Sequence, residues 1–410
     1  MRLGLLTTSF PRDGDDSAGA FVLGFARALA ARGHTIEVLA PEPERAQLPP
    51  HWPGVRVQHV PYLRPRALQR TFYRSGVPDN LARDPLAWLG LAPFSLQLAR
   101  IARQRARDWD ALFSHWALPC ALAAGPARRP RRHVAIFHSA DLHLLARLPG
   151  SARLARHIAR HADALWFVNA AQERRFRALL PRQHSPARSV VSPMGIELPP
   201  ERPRPDPERA ALRSRFQLQS FSLLALGRLV PIKGLDVAIR ALAGRRFQLL
   251  IAGDGPERRR LEALARALGA QVRFCGEVAG ERKHQLLQAA DAFVLPSRRL
   301  PDGRSEGLPH ALLEALAHGL PVVAAHSDGV AELLAGTAFA RWLVPPDDPA
   351  ELGRALDDLH AARAMSRAPD LAEQARAIAA RFSWSRIAQR AESLISSAER
   401  PVQALSNAPF

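Results

Sequence analysis

Short apolar runs alternate with longer amphipathic stretches along this chain of 410 residues, and the alternation begins a second time near residue 220. The first cycle predicts a strand at 3–8, a glycine-containing loop, a helix at 21–32 and a strand at 35–39. A strand, a helix and a second strand in this order form a βαβ unit with parallel strands. The repeated units therefore predict an α/β fold with two doubly wound, Rossmann-like halves.

A proline-rich segment at 199–207 separates the two halves. Proline and charged residues in such a run favour an extended linker over a packed element. A chain of this length also exceeds what one hydrophobic core usually supports. We therefore predict a Rossmann-like domain at 1–196, a linker region at 197–219, a second Rossmann-like domain at 220–382 and a terminal helix at 383–410 that packs back on the first domain.

Cysteine content and apolar run length restrict the class of protein. Cys120 and Cys275 are the only cysteines, which excludes zinc sites, iron–sulfur clusters and a disulfide framework and favours a reducing compartment. No window approaches the roughly 18 consecutive apolar residues of a transmembrane helix. We expect a cytoplasmic protein without a membrane span, peripheral on the inner face of the cell membrane.

The charge is strongly basic. Net charge is +19, from 57 basic and 38 acidic residues, and only Lys233 and Lys283 are lysines. Arginine clusters at 127–132 and 147–160 lie in the N-terminal half, which predicts contact of that half with an anionic membrane surface. A compositional bias toward arginine would explain the same charge. No basic motif interleaved with aromatic residues is present, so no nucleic-acid partner is expected.

Two glutamates, Glu306 and Glu314, lie eight positions apart, and the predicted helix begins just after Glu306 and carries Glu314. Pro309 suits the first turn of that helix, and Gly319 suits its left-handed exit. The helix N-terminus would face a ligand beyond Gly307 and favour a phosphate. A rise of about 1.5 Å per residue would place the carboxylates roughly 12 Å apart, about the reach of a nucleotide-sugar. The alternative is a core helix with two solvated glutamates.

Loops at two predicted strand ends carry groups suited to phosphate. The loop at 227–234 presents Arg228 and Lys233 within six residues. A guanidinium and an ammonium so placed can hold a diphosphate, although two solvated cations on a surface loop are the alternative. In the first half, the loop at 15–21 contains Gly19 and lies between a strand and a helix, where backbone amides can meet phosphate.

Polar and aromatic side chains follow two predicted strands of the first half. His138 and Asp141 come directly after one strand, and His115 with Trp116 after another. A histidine at a strand end can bind hydroxyls or phosphate and exchange protons near neutral pH. Tryptophan can stack on a sugar. The alternative is that these residues only fill and satisfy the core.

These segments together resemble the retaining glycosyltransferases of family 4, the glycosyl transferases group 1, over nearly the whole chain. The resemblance implies the GT-B architecture, in which two Rossmann-like domains face each other across a cleft. Its most specific element is Glu306 followed by seven residues and Glu314. The other segments that carry it are 227–234, 253–256, 291–297 and 318–324 in the second half, and 9–11, 33–34, 115–119 and 138–141 in the first.

The resemblance implies two catalytic residues, His138, which would face the reacting sugar, and Glu306, which would bind the hydroxyls of that sugar. The resemblance also implies donor contacts: Arg228 and Lys233 would bind the diphosphate, and Glu314 would bind the ribose. Gly307 and Leu308 would contact the donor through their backbone, and Gly19 would lie in the donor loop. Candidate contacts to the acceptor or the sugar are His115, Trp116 and Asp141.

The implied activity is retaining transfer of a hexose from a nucleotide-diphosphate-sugar to a hydroxyl of a lipid-linked or cell-surface polysaccharide intermediate. The implied partners are that donor and a glycan or glycolipid acceptor. Cations and a helix dipole would stabilise the departing diphosphate, so no cofactor and no metal is expected.

Two residues depart from the family pattern. Pro309 stands where a glycine is common and removes one N–H from the phosphate region, and Met194 stands where an asparagine is common. Two other functions remain compatible with the residues: a sugar-nucleotide epimerase on the same fold, and a basic protein that binds lipid or nucleic acid without catalysis.

Overall fold

The computed structural model describes residues 1–13, 16, 18–44, 51–73, 76–125, 132–181, 188–199, 206–301, 303–363 and 368–396. The chain divides into two compact units. The first comprises Met1–Gly195 and the terminal segment from Trp384, and the second comprises Ile196–Ser383.

The described residues of the first unit form a seven-stranded parallel sheet in the order β3-β2-β1-β4-β5-β6-β7. The strand order reverses between β1 and β4, where ligands bind in sheets of this kind. The strands are β1 (Arg2–Leu6), β2 (Thr35–Pro41), β3 (Val55–Val60), β4 (Ala111–His115), β5 (His133–Phe137), β6 (Ala164–Phe167) and β7 (Arg188–Val191); the helices are α1 (Ala20–Ala30), α2 (Val77–Arg83), α3 (Leu91–Arg105), α4 (Leu122–Ala124), α5 (Ala140–Arg147), α6 (Ser151–His161) and α7 (Ala170–Ala178).

The second unit contains, within its described residues, a six-stranded parallel sheet in the order β10-β9-β8-β11-β12-β13. Its order reverses between β8 and β11. The strands are β8 (Ser222–Leu226), β9 (Gln248–Ala252), β10 (Val272–Gly276), β11 (Ala292–Leu295), β12 (Val322–Ala325) and β13 (Leu343–Val344); the helices are α8 (Asp206–Arg215), α9 (Leu235–Ala241), α10 (Arg258–Ala267), α11 (Gly280–Ala289), α12 (His310–Ala317), α13 (Asp328–Leu334), α14 (Pro349–Ala362) and α15 (Ala368–Ala380).

The last described helix, α16 (Trp384–Ser396), packs on α1 in the first unit. Its buried apolar face, which includes Ile387 and Ala391, joins the core beneath the sheet of that unit. Trp384 requires two glycines: an added Cβ on Gly24 or on Gly195 would lie 2.3 Å from the indole. The terminal helix is therefore closely packed into the core of the first unit.

The structure differs from the sequence prediction between 197 and 219, where α8 replaces part of the expected linker. Proline is tolerated in a first helical turn, so Pro207 does not prevent a helix that begins at Asp206. Arg209 and Arg213 on α8 lie 2.7 Å and 2.8 Å from the carboxylate of Asp291. These ion pairs, which no local pattern reveals, fasten α8 to the second unit.

Candidate active site

In the second unit, the loops after β8 and β11 meet where the strand order reverses. The loop after β8 ends in a 3₁₀ turn, Pro231–Lys233, followed by Gly234 at φ 60°. A Cβ on Gly234 would lie 2.0 Å from the carbonyl oxygen of Pro296, so only glycine permits this contact. The backbone N–H of Arg298 donates to the Ile232 carbonyl at 2.9 Å. Backbone packing thus holds the two loops together.

Lys233 and Glu306 form an ion pair at this position, with Nζ 2.5 Å from Oε1. The hydroxyl of Ser297 donates to the other carboxylate oxygen of Glu306. The side chains of Lys233 and Glu306 are 15% and 13% exposed, so the pair is partly shielded yet open to a ligand. The geometry brings together a cation suited to phosphate and a carboxylate suited to sugar hydroxyls.

A second ion pair joins Lys283 on α11 to Glu314 on α12, with Nζ 2.7 Å from Oε1. Both lysines of the chain therefore pair with the two glutamates that the sequence analysis selected. Sequence reasoning did not select Lys283. The sequence did contain a feature that distinguishes Lys283, because 55 of the 57 basic residues are arginine and only two are lysine. Nothing local reveals that α11 delivers Lys283 to Glu314.

The start of α12 corrects one prediction. The helix begins at His310, and Pro309 stands before it with φ −66° and ψ 129°. Pro309 is therefore the residue before the helix and not part of its first turn, whereas Glu306 lies outside the helix as predicted. A spacing of roughly 12 Å from helical rise over all eight positions does not apply, because only the residues from His310 onward are helical. Proline disfavours a helical conformation in the residue before it, so Leu308 cannot extend the helix toward Glu306. The exit agrees with the prediction, since Gly319 has φ 75°.

Three of the remaining predicted donor contacts lie near these pairs along the chain, and Gly19 lies in the first unit. Arg228 is exposed in the loop after β8, and Gly307 and Leu308 are half-buried between Glu306 and α12. In the first unit, Gly19 has φ 71° and precedes α1, where a Cβ would lie 2.3 Å from the Ser9 carbonyl oxygen. Residues 15 and 17 of the predicted 15–21 loop lie outside the described residues.

In the first unit, His138 after β5 is held by His115 at the end of β4. Nδ1 of His115 lies 2.9 Å from Nε2 of His138, and the rings are parallel within 7°. His115 is fully buried, and burial lowers its pKa to about 3, so its imidazole is neutral near pH 7. Phe21 and Trp116 lie with ring centroids 4.9 Å and 5.0 Å from His138. The pocket of rings fixes the orientation of His138.

Asp141 is buried beside this pair and binds the backbone on both sides. One carboxylate oxygen accepts from the His138 N–H at 3.0 Å, and the other accepts from the Ala117 N–H at 2.6 Å. Burial raises the pKa of Asp141 to about 6. Trp116 and Ser139 flank the two bonds with φ of 69° and 71°, left-handed conformations that non-glycine residues adopt at a cost. The geometry favours a positioning role for Asp141 and His115 over direct sugar contact.

Two family models match the chain. One described as a glycosyl transferase 4-like domain matches residues 18–195, and one described as glycosyl transferases group 1 matches residues 211–379. A GDP-mannose-dependent alpha-(1-6)-phosphatidylinositol monomannoside mannosyltransferase of Mycobacterium tuberculosis is 31% identical over 348 residues, covering 81% of this chain and 82% of that protein. The chain is a family 4 glycosyltransferase.

Another curated relative of this glycosyltransferase and two solved structures are similar to it. The amylovoran biosynthesis glycosyltransferase AmsK of Erwinia amylovora is 37% identical over 180 residues, 42% of each chain. Sucrose-phosphate synthase from Thermosynechococcus elongatus superposes with a TM-score of 0.72 at 21% identity, over 96% of this chain and 98% of that one. Anabaena HepE, solved with UDP and glucose, gives 0.68 at 21% identity, over 97% and 100%. These structural likenesses confirm the predicted GT-B fold of two Rossmann-like domains.

Metal binding and membrane insertion were considered in the predictions for this glycosyltransferase only from its sequence, and the structure adds one observation on each. Across the described part of the chain, no three His, Cys, Asp or Glu side chains cluster as metal ligands would. No helix in that part has the length and apolar character to cross a bilayer. The metal-independent mechanism stays a prediction.

Proposed function

We propose that this glycosyltransferase transfers a hexose from a nucleotide-diphosphate-sugar with retention of anomeric configuration. The acceptor is a hydroxyl of a lipid-linked or cell-surface glycan intermediate at the cytoplasmic face of the membrane. The observation that carries the proposal is the placement of two lysine–glutamate pairs, Lys233–Glu306 and Lys283–Glu314, around α12. Each pair offers a carboxylate for hydroxyl groups, and the first also offers a cation for phosphate.

The first pair serves the reacting end of the donor. Lys233 and Glu306 neutralise each other in this arrangement, with Ser297 completing the hydrogen bonding of the carboxylate. A donor diphosphate competes with Glu306 for the ammonium, while the hexose hydroxyls donate to the carboxylate. The ion pair between Lys233 and Glu306 is then replaced by two contacts to the donor, one from each side chain. Neither charged group is left buried without a partner. Arg228, exposed in the same loop, supplies the second cation for the diphosphate.

The second pair serves the nucleoside end. Glu314 accepts hydrogen bonds from the ribose hydroxyls, and Lys283 pairs with that carboxylate and orients it. This contact is distant from the bond that breaks, so it contributes to binding rather than to the chemical step.

In the transfer step, the bond between the anomeric carbon and the phosphate oxygen breaks, and a bond from the acceptor oxygen to that carbon forms on the same face. The acceptor proton passes to the departing phosphate oxygen. Arg228 and Lys233 stabilise the charge that develops on the diphosphate, so no metal is needed. His138, oriented by His115 and Asp141, contacts the reacting sugar.

GDP-mannose is the first donor to test, and a mannosylated phosphatidylinositol is the first acceptor. The mycobacterial relative at 31% identity is named for that donor and acceptor. A monoacylated phosphatidylinositol mannoside enzyme of Corynebacterium glutamicum is 29% identical over 313 residues.

The test is release of nucleoside diphosphate from GDP-mannose and from UDP-glucose, measured with and without phosphatidylinositol mannoside or a bacterial lipid extract. We expect release that requires an acceptor, a product with the anomeric configuration of the donor by NMR, and activity that persists in EDTA. Sugar epimerisation without acceptor, or an inverted product, contradicts the proposal. A Glu306→Ala variant that retains full activity contradicts it as well.

A further inference from the structure

Exposed apolar side chains concentrate in one segment of the first unit. Six large hydrophobic side chains are exposed among the residues the structure describes, and four of them lie within 86–96. Isolated exposed leucines need no explanation, but a contiguous apolar cluster marks a surface that contacts a partner or a membrane. The four are Leu86, Trp88, Leu89 and Leu96, exposed by 43%, 55%, 54% and 72%.

The fold holds this cluster outward. A 3₁₀ segment, Pro85–Gly90, runs directly into α3, and the opposite side of both elements is buried through Ala87, Phe94 and Leu98. The indole N–H of Trp88 donates to the Leu81 carbonyl at 3.0 Å, which fixes the ring while leaving its face exposed. A Cβ on Gly90 would lie 2.1 Å from Oγ1 of Thr71, so the segment sits tightly on its support.

Arginines continue the same face of α3. Leu96, Arg100 and Arg103 follow one another at spacings of four and three residues, which places them on one side of α3, and Leu89 precedes that helix in the 3₁₀ segment. Arg100 and Arg103 are exposed, and neither has a carboxylate partner among the described residues. We call this surface the α3 face: Leu86, Trp88, Leu89, Leu96, Arg100 and Arg103.

We infer that the α3 face docks on the surface of an anionic lipid bilayer. Tryptophan and leucine insert at the level of the headgroups, and arginine is attracted to anionic lipids. A second copy of the chain fits the face poorly, because this patch contains no carboxylate that could pair with Arg100 and Arg103 of the other copy in a two-fold contact. The inference rests on the proposed function, since it brings the enzyme to a membrane-held acceptor.

The arginine-rich segment at 147–160 provides the comparison. Helix α6 buries Ala155, Ile158 and Ala159, and Arg153 and Arg160 are exposed on it. No large hydrophobic residue of α6 is among the exposed side chains of the described chain. The cluster at 127–132 lies outside the described residues except for Arg132. Charge alone is present on α6, whereas charge and apolar area coincide on the α3 face.

The experiment is flotation of the full chain with vesicles of phosphatidylcholine alone and of phosphatidylcholine with phosphatidylglycerol, without donor or acceptor. Three variants are compared: Leu89→Glu with Leu96→Glu, Arg100→Glu with Arg103→Glu, and the matched charge control Arg153→Glu with Arg160→Glu. We expect the first two to lower partitioning onto anionic vesicles by about tenfold or more, and the control to lower it by about twofold or less.

An equal loss of vesicle binding in the two arginine variants overturns the inference, because the net charge of the protein would then be enough to explain its binding. Absence of vesicle binding by the wild-type chain also overturns it, as does a lipid-free dimer that the leucine variant dissociates. Circular dichroism and thermal unfolding establish that each variant is folded. Transfer to a water-soluble acceptor is measured in parallel, so failure of the proposed activity is seen separately from failure of membrane docking.

Discussion

Nζ of Lys233 lies 2.5 Å from Oε1 of Glu306, so the two charges assigned to opposite ends of the reacting bond neutralise each other. They reach this distance because β8 and β11 are neighbours although more than sixty residues separate them in sequence. Ser297, directly in the segment after β11, binds the second oxygen of Glu306. The pair is therefore poised for exchange with a ligand that offers both an anion and hydroxyl groups.

Replacement of Glu306 by glutamine should impair the chemical step. Glutamine retains the shape but loses the negative charge that accepts from sugar hydroxyls, and a hydrogen bond to a charged group contributes about 1.5–3 kcal/mol. We expect kcat/KM to fall by about 10- to 100-fold in steady-state transfer assays. Glu262→Gln on α10, which removes a carboxylate paired with Arg258, is the control and should leave kcat/KM unchanged. Equal effects of the two substitutions would refute the assignment.

Lys283→Ala should weaken donor binding without slowing chemistry. The ammonium lies 2.7 Å from Glu314, a pair that the proposed function assigns to the nucleoside end of the donor and not to the bond that breaks. Loss of binding shared by ground state and transition state raises KM for the donor, here by about tenfold, with kcat changed by about twofold or less. Initial-rate kinetics over donor concentration measures both values. Lys283→Arg keeps the charge and should recover most of the affinity; a large fall in kcat for the alanine variant would place Lys283 at the reacting centre instead.

Gly24→Ala should destabilise the first unit, although alanine is normally favoured over glycine in a helix by about 1 kcal/mol. The new Cβ would lie 2.3 Å from the Trp384 indole, and overpacking of this kind costs about 1–3 kcal/mol. Urea unfolding measures the free energy. Combining Gly24→Ala with Trp384→Leu should give a smaller loss than the sum of the two single losses, and strict additivity would contradict the contact.

His115 should make the first unit sensitive to acid. Its pKa is lowered by burial to about 3 in the folded chain against an ordinary value of 6.5. The unfolded chain therefore binds the proton first, and the stability contributed by the neutral, buried ring is lost as pH falls from about 6.5 toward 3. At about pH 5 this loss is about 2 kcal/mol.

The measurement is urea unfolding of wild type and His115→Phe at about pH 7 and about pH 5. The variant lacks the hydrogen bond to His138 and should be less stable at about pH 7, by about 1 kcal/mol. It cannot titrate at this position, so the difference should shrink or reverse at about pH 5. A constant difference between the two pH values would show that His115 does not titrate on unfolding.

Local sequence pattern determined much of the fold. The strand predicted at 35–39 and the helix predicted at 21–32 correspond to β2 and α1, and the exit of α12 at Gly319 follows from the ability of glycine to adopt positive φ. The pair of glutamates and the loop carrying Lys233 were also recognisable, because residue type and spacing are properties of a short segment.

Tertiary structure decided which of these groups meet. The sheet order sets β8 beside β11 and so joins Lys233 to Glu306, and α11 brings Lys283 to Glu314. Packing of Phe21 and Phe25 on α1 against His115 leaves that buried ring neutral in support of His138, and Trp384 packs against Gly24 and Gly195. Periodicity reports on neighbours along the chain, whereas ion pairs, burial and close packing depend on which distant segments lie side by side.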